Sequence, residues 1–369
     1  MRIVTVSHRF YPSIGGTEHH TYLFSKYMAK LGNEVHIVTS QEKNTRNEEE
    51  MEGFNITRIP IKYIGKFRIP IGYARLLKKL RYDILYVNGQ RVWAGDWIYP
   101  FIPMLPHYKI FMAHGFYQYH MNPSFVNKVY YKKYFVNMMK FFDAYIALTE
   151  NEKNTMLSWG YSNKKIKVLP SFALDREEDY NYNNFFERNG IERENLILNI
   201  GGFYENKRVD IVIESAYQSN ANPTVVAIGK DVPTSKFNKA YCINLAKKRG
   251  VKFFVFDSLS REDIISAYKG ATIMVHPAQF EGLGIIFLEA MKYGIPFVSF
   301  DVGIAKEVAS KSGNIIVKTM PEMARAIQTL LQNKDLRERI KNSSKKVIED
   351  YYADNLAKQY NELFKSFYG

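Results

Sequence analysis

The chain has a single cysteine, Cys242, in 369 residues, so no intrachain disulfide can stabilise it and a reducing, cytoplasmic setting is expected. It has no Asp-x-Asp pair, and its eight histidines show no ligand-like spacing beyond His19-His20, which reads as a surface helix. No metal or other cofactor is expected from this inventory. Long apolar runs are also missing. The most apolar stretch, Trp97 to Met112, is interrupted by Pro100, Pro103, Pro106, His107 and Lys109, short of the ~20 continuous apolar residues that a spanning helix needs. The opening residues Arg2-Ile-Val-Thr-Val-Ser7 lack the charged-then-apolar plan of a secretion signal and read as a buried strand. A protein that is soluble or lies on a membrane, without crossing it, is expected.

Acidic residues are scarce in one region. The net charge is +14, yet residues 173–369 contribute only +2 of it, from 27 basic and 25 acidic side chains. Between Arg58 and Lys140, 14 basic residues face only Asp83 and Asp96. A solvated helix face explains scattered charge but not a block so poor in acids.

What the chain does have is material for a core: 46% of its residues are hydrophobic and 15% aromatic, which excludes disorder. At ~150 residues per domain the length fits two. Strand-like runs recur at Ile3–Val6, Glu34–Thr39, Ile56–Ile61, Ile84–Val87, Lys109–Ala113, Ala144–Leu148 and Ile166–Leu169. They continue at Leu196–Ile200, Thr224–Ile228, Val251–Phe256, Ala271–Val275, Phe297–Ser299 and Asn314–Val317. Amphipathic segments such as Glu18–Leu31, Val209–Tyr217, Phe237–Lys248 and Ile286–Tyr293 lie between them. Alternation of this kind predicts an α/β fold with parallel sheets of βαβ units. Two series of equal length predict two Rossmann-like, doubly wound domains, at 1–172 and 173–350, divided in the polar stretch Pro170–Asn195. A helical tail follows, with a break at Tyr351-Tyr352 and a last helix at 351–369.

Three loops carry candidate chemistry. Pro12-Ser-Ile-Gly-Gly-Thr17 joins a strand to a helix, and its two glycines let backbone N–H groups approach an anion. A tight turn is the structural alternative. Gly201-Gly-Phe-Tyr-Glu-Asn-Lys-Arg208 occupies the same position in the second half. Lys207 and Arg208 then sit at a helix start, where cations are unfavourable unless an anion joins them. The third stretch runs His276-Pro-Ala-Gln-Phe-Glu-Gly-Leu-Gly-Ile-Ile-Phe-Leu-Glu289. Eight positions are ~12 Å of helical rise, so Glu281 and Glu289 are too far apart to act as an acid and base on one bond. Glu281 belongs to a loop, and Glu289 to an otherwise apolar helix where its charge needs donors, for which ligand hydroxyls are suited.

The Glu-x7-Glu spacing, the Phe280-Glu-Gly-Leu-Gly284 context and the trailing Glu289-Ala-Met-Lys-Tyr-Gly294 resemble the signature of the retaining nucleotide-sugar glycosyltransferases of family 4, which have the two-domain GT-B fold. Gly15-Gly16 resembles that family's amino-terminal glycine loop, His114-Gly115 the pair after a central strand, and Lys207 the lysine of its Arg-Lys dyad. Asp301-Val-Gly303 and Glu307-Val308 resemble the run that follows the glutamate motif. The resemblance implies that Glu281 meets the donor sugar, that Glu289 binds the nucleotide ribose, and that Lys207 neutralises the departing diphosphate. It also implies that amides of Gly15, Gly16, Gly282, Leu283, Gly284 and Ile285, with Arg208, hold the diphosphate, and that His114 contacts the sugar from the first domain. The last helix is expected to cross back to that domain. Two positions depart from the pattern. Gly202 occupies the place of the dyad arginine, leaving Arg208 or Arg9 to replace it, and Pro170-Ser-Phe172 replaces the usual Pro-Asn-Gly, with its aspartate one place late at Asp175.

The implied partners are a UDP- or GDP-sugar and a glycan or lipid-linked acceptor. Residues 58–140 interleave lysines with aromatics, most densely at Ser124–Phe142, as suits an anionic membrane surface; a core-facing aromatic stripe with a basic edge is the structural alternative. Two other functions compete. A GT-B nucleotide-sugar epimerase would share the glycine loops, and a nucleic-acid-binding protein would share the charge, although no nucleic-acid module is recognisable and no specific nucleic-acid partner is expected.

Overall fold

β-branched and other apolar side chains fill the runs that read as strands, and each of those runs forms one. The computed structural model describes residues 1–13, 15–65, 67–89, 96–105, 108–115, 136–176 and 185–368. The chain divides into two compact units: Met1–Asp175 together with Tyr351–Gly369, and Arg176–Asp350.

The first unit contains β1 (Arg2–Val6), β2 (Glu34–Ser40), β3 (Glu48–Met51), β4 (Phe54–Ile59), β5 (Ile61–Ile64), β6 (Phe67–Pro70), β7 (Ile84–Asn88), β8 (Tyr108–Met112), β9 (Ala144–Ala147) and β10 (Ile166–Val168). Its main sheet runs β10-β9-β8-β7-β1-β2-β4-β3. Every pairing is parallel except β3 with β4. β7 is buried at every position, as expected of a parallel strand covered on both faces.

Two features depart from the sequence expectation. The single strand expected over Ile56–Ile61 stops at Ile59, because Pro60 has no N–H to give a ladder, and Ile61 begins the separate β5–β6 hairpin. The Glu-Glu-Glu run at Glu48–Glu50, absent from the strands expected from the sequence, is part of an edge strand. Its Glu49 pairs with Arg58 on β4, whose side chain is 1% exposed. A strand whose edge carries carboxylates is also poorly suited to pair with another chain.

The second unit contains β11 (Leu196–Ile200), β12 (Thr224–Ile228), β13 (Lys252–Phe256), β14 (Ile273–His276), β15 (Phe297–Ser299) and β16 (Ile315–Ile316), in the order β13-β12-β11-β14-β15-β16 and parallel throughout. This is the doubly wound order that reverses between the first and fourth strands of the unit, here β11 and β14. A reversal of this kind leaves a crevice at the carboxyl ends of those strands, the usual binding position in such sheets.

The tail breaks where the paired tyrosines stand, and once more at Asn333, giving helices Met320–Gln332, Lys334–Val347 and Ala353–Tyr368. The last belongs to the first unit. Tyr360 and Phe364 are fully buried there among Phe24, Tyr86 and Phe172, and the Tyr360 hydroxyl donates to the Pro170 carbonyl at 2.9 Å. No helix of the described residues is long and apolar enough to cross a membrane. The segment Ser124–Phe142, singled out for its aromatics and lysines, lies outside the described residues up to position 135.

Candidate active site

The loops after β11 and β14 meet at the strand-order reversal of the second unit. Asn206 joins them through three hydrogen bonds: its side-chain amide donates to the Phe280 carbonyl (2.9 Å) and accepts from the Phe280 N–H (2.9 Å), and its own carbonyl accepts from Gln279 N (2.9 Å). Lys207, next in sequence, places its ammonium 2.5 Å from Glu281 Oε1. His276, the last residue of β14, places Nε2 2.7 Å from the same oxygen. Burial pushes the Glu281 carboxyl upward, but the hydrogen bond from His276 and the charge of Lys207 outweigh it and hold the group down at about 2. Glu281 is therefore a permanent carboxylate at neutral pH. Burial lowers His276, which acts as a neutral imidazole donating Nε2–H.

Glu281 leads into Gly284, the residue before the helix Ile285–Lys292. Gly284 has φ 83° and no side chain caps the helix after it. A Cβ there would meet the Phe287 ring at 2.6 Å, so only glycine fits without displacing that ring. By contrast, Thr149, Asn238, Ser260, Thr319 and Asn333 cap their helices through side-chain oxygens. The helices that start after Gly15, Arg208 and Gly284 have no such cap. The three motif loops thus leave first-turn N–H groups without a side-chain acceptor, as do the helix starts after Gly72 and Ile304 outside the motifs.

Two expectations are corrected at this site. The cations at the start of the helix Val209–Gln218 do not require an outside anion. Arg208 donates twice to Asp210 (2.9 and 2.8 Å) and stacks 4.8 Å over the Phe237 ring, while Lys207 is matched by Glu281. Likewise Glu289, 7% exposed, finds its donors within the protein: Arg261 at 2.5 Å and the Tyr268 hydroxyl at 2.9 Å. Glu281 and Glu289 have separate partners, as their spacing requires. Among the described residues no group of acidic, histidine or cysteine side chains could hold a metal ion.

Gly15, Gly16 and His114 belong to the first unit. Gly16 begins the helix Gly16–Lys30, and four residues on, His20 is fully buried with its ring 4.7 Å from that of His114. The reading of His19-His20 as a surface pair is therefore wrong for His20. Its Nδ1 accepts from the Phe172 N–H (3.0 Å) and from Ser171 (2.8 Å), and its Nε2 reaches the Tyr86 hydroxyl (3.1 Å). Burial, with the neighbouring His114, lowers its pKa, so it is a structural, neutral ring. Asp175, the displaced aspartate, ties down Lys26 (3.1 Å) and Tyr27 (2.6 Å) on the same helix.

His114 has φ 58°, and desolvation pulls its imidazole down to about 4. Asn88 donates to Thr5 (2.8 Å), which orients its amide so that Oδ1 accepts from His114 Nε2 at 3.2 Å. His114 Nδ1 is then the acceptor nitrogen. The following residue, Gly115, donates its N–H to the buried Glu152 at 2.9 Å, and Leu148 N donates to the other oxygen at 2.6 Å. Burial lifts Glu152 to about 7. A carboxyl raised on folding holds its proton between about 4.5 and 7, where the unfolded chain has released it, so stability falls as pH rises across that window. Denaturant unfolding at several pH values is expected to show wild type losing stability relative to Glu152→Gln from pH 4.5 to 7. Parallel pH curves would refute the assignment.

Comparison with known proteins agrees with this architecture. The model for glycosyltransferase family 4 matches residues 14–173, and that for glycosyl transferases group 1 matches residues 181–347. The chain belongs to the family 4 glycosyltransferases. Along its length the glycosyltransferase is 23% identical to an uncharacterized glycosyltransferase of Methanocaldococcus jannaschii, covering 99% of this chain and 98% of that one. A shorter match, 31% identical over 36% of this chain and 35% of the relative, is to the lipopolysaccharide glucosyltransferase WaaG of Escherichia coli. Among solved structures, Anabaena HepE in complex with UDP and glucose superposes with a TM-score of 0.78 at 16% identity, covering 99% of this chain and all of that one. At that identity the likeness is one of fold, and the fold is GT-B.

Sequence reasoning passed over His276, Arg261, Tyr268, Asn88 and Glu152. His276 had a usable signal, since it ends a strand five residues before Glu281. The others are separated by 21 residues or more from Glu289, His114 and Gly115, the site residues they hold, and only the fold brings them together.

Proposed function

We propose that this glycosyltransferase moves a sugar from a UDP- or GDP-sugar to a glycan or lipid-linked acceptor, with retention of configuration and without a metal. The observation that carries the proposal is the Lys207–Glu281 pair at the strand-order reversal of the second unit, beside an uncapped helix start. In this reading the free side of the Glu281 carboxylate accepts a hydrogen bond from a donor-sugar hydroxyl. Lys207 and the amides of Gly282, Leu283, Gly284 and Ile285, with Arg208, stabilise the charge that develops on the departing diphosphate, more in the transition state than before it. Glu289, oriented by Arg261 and Tyr268, receives the ribose hydroxyls. Within the first unit, the amides of Gly15 and Gly16 and the acceptor nitrogen of His114 are the candidate ligand contacts. Retention follows when the acceptor attacks the face the diphosphate leaves, the leaving phosphate taking its proton.

A thermal-shift and turnover panel of UDP-glucose, UDP-galactose, UDP-N-acetylglucosamine and GDP-mannose tests the reading. At least one is expected to raise Tm and to release its nucleoside diphosphate, with no loss of rate in chelator. Interconversion of the free nucleotide sugars instead of release would favour the epimerase. Salt-sensitive DNA binding with no sugar-nucleotide shift would favour the nucleic-acid reading.

For the acceptor we infer contact with an anionic membrane on the cytoplasmic side. The β5–β6 hairpin supports this: Tyr63, Ile64 and the following Ile71 are 66%, 52% and 49% exposed. Lys62, Arg68, Arg75, Lys78, Lys79 and Arg81 of the same stretch of chain are also exposed, with no carboxylate from Arg58 to Tyr82. Each basic residue near an anionic surface contributes about 1 kcal/mol. Liposomes with anionic lipid are expected to retain the protein and neutral ones to release it, with Tyr63→Ser/Ile64→Ser weakening retention. Equal binding to both liposomes, or none, would reject the inference.

A further inference from the structure

We propose that His276 is a positioning residue for Glu281: with Lys207 it grips one carboxylate oxygen, so that the other oxygen is presented to the donor sugar. The proposal rests on the reading above that Glu281 meets that sugar.

The geometry argues for a fixed grip. Both donors converge on Oε1, Lys207 at 2.5 Å and His276 at 2.7 Å, and no donor among the described residues is recorded on Oε2. A carboxylate held by one oxygen from two directions cannot rotate its second oxygen freely, which is the preorganisation a transition-state contact requires. The imidazole itself is immobilised. It is fully buried, and its edge packs on the Phe287 ring at 5.5 Å between centroids and 81° between planes. The Ser299 hydroxyl donates to its carbonyl at 2.9 Å, and β14 and β15 are paired at His276 and Ser299. On the far side of the ring, Nδ1 is buried with no hydrogen-bond partner. A proton there would be a buried, unsatisfied donor on a charged ring, so the ring remains neutral with its one hydrogen on Nε2. His276 can therefore give Glu281 a hydrogen bond but cannot act as an acid, which separates a positioning role from a proton-transfer role.

The titratable and charged groups around Glu281 come from three segments. His276 lies on β14 and Lys207 on the loop after β11. The loop after β15 approaches through Gly303, whose added Cβ would lie 3.1 Å from that of Glu281. That loop carries Asp301, paired with Lys306 at 3.4 Å. With the imidazole gone, Lys207 alone opposes the burial of the carboxylate, and the carboxyl rises toward its ordinary range.

His276→Gln and His276→Asn separate the roles, because the glutamine amide nitrogen can occupy the place of Nε2 while that of asparagine falls near Nδ1. Both fill part of the cavity with a polar side chain, and Tm identifies any variant that fails to fold. With the donor that the panel selects, His276→Asn is expected to lower kcat 10- to 100-fold while the thermal shift given by UDP or GDP stays within twofold in midpoint concentration. Its activity relative to wild type should fall further between pH 7 and 5, as Glu281 begins to protonate. His276→Gln should recover most of kcat and the flat acid side of the profile. Should His276→Asn keep the wild-type kcat and pH profile, or should the two variants be equally impaired with unchanged profiles, the positioning role is overturned. Glu281→Gln, assayed alongside, distinguishes the two failures: if it is inactive while His276→Asn is normal, the positioning role fails; if it is fully active, the sugar-contact reading fails.

Discussion

Glu281→Gln is expected to lower kcat/KM by about 10²- to 10³-fold, the size seen when one preorganised polar contact to a transition state is lost. The glutamine has the carboxylate's shape but neither its charge nor its second acceptor. Lys207→Ala should reduce turnover by a similar factor through the other half of the pair, since it removes the cation proposed to neutralise the departing diphosphate. The two variants should differ in stability. In wild type Glu281 is held at about 2, so its pairing contributes stability above the ordinary carboxylate pKa and loses it only as pH falls toward 2. Lys207→Ala leaves that buried carboxylate with His276 alone and should lower Tm at pH 7, whereas Glu281→Gln removes the charge that needed a partner. Circular dichroism spectra should match wild type in both. Full transfer activity in either variant would sink the site assignment.

Gly303→Ala is expected to damage stability and turnover together. Gly303 has φ 54°, which alone costs an alanine about 1–2 kcal/mol. A methyl group there would also lie 2.3 Å from the Leu283 carbonyl oxygen and 3.1 Å from Glu281 Cβ. The carbonyl cannot retreat without breaking the bond it accepts from Ile304 N at 2.9 Å. The Glu281–Gly284 loop must therefore shift, and a displacement of about 1 Å at a reacting group can cost on the order of 100-fold in rate. The check is a paired measurement of Tm and donor turnover. A Tm drop with unchanged turnover would show that the loop accommodates the methyl away from Glu281.

The fold was legible because parallel strands buried on both faces leave continuous apolar runs, and Leu196–Ile200 or Ala144–Ala147 can be recognised without knowing their neighbours. Glu48–Met51 could not be recognised in that way, since its pairing with β4 depends on Arg58 finding Glu49 across the ladder. The site divides in the same manner. Glu281, Lys207 and Gly284 were visible because they lie in loops whose composition has no structural excuse. The partners of Glu289 were not, because Arg261 and Tyr268 look like ordinary members of an amphipathic helix. The inference that Lys207 and Arg208 required an outside anion erred for a related reason: periodicity gives the helix start but not the direction of the Glu281 and Asp210 side chains.

The helix Ala353–Tyr368 has a consequence for synthesis. The aromatic cluster of Phe24, Tyr86 and Phe172 is closed by Tyr360 and Phe364, so the first unit cannot finish its core until residues 353–368 have left the ribosome. All of the second unit, Arg176–Asp350, leaves the ribosome before that closing helix does. The unit that is begun first is therefore the one completed last, and a product that stops before Ala353 leaves Phe24, Tyr86 and Phe172 without the rings that cover them.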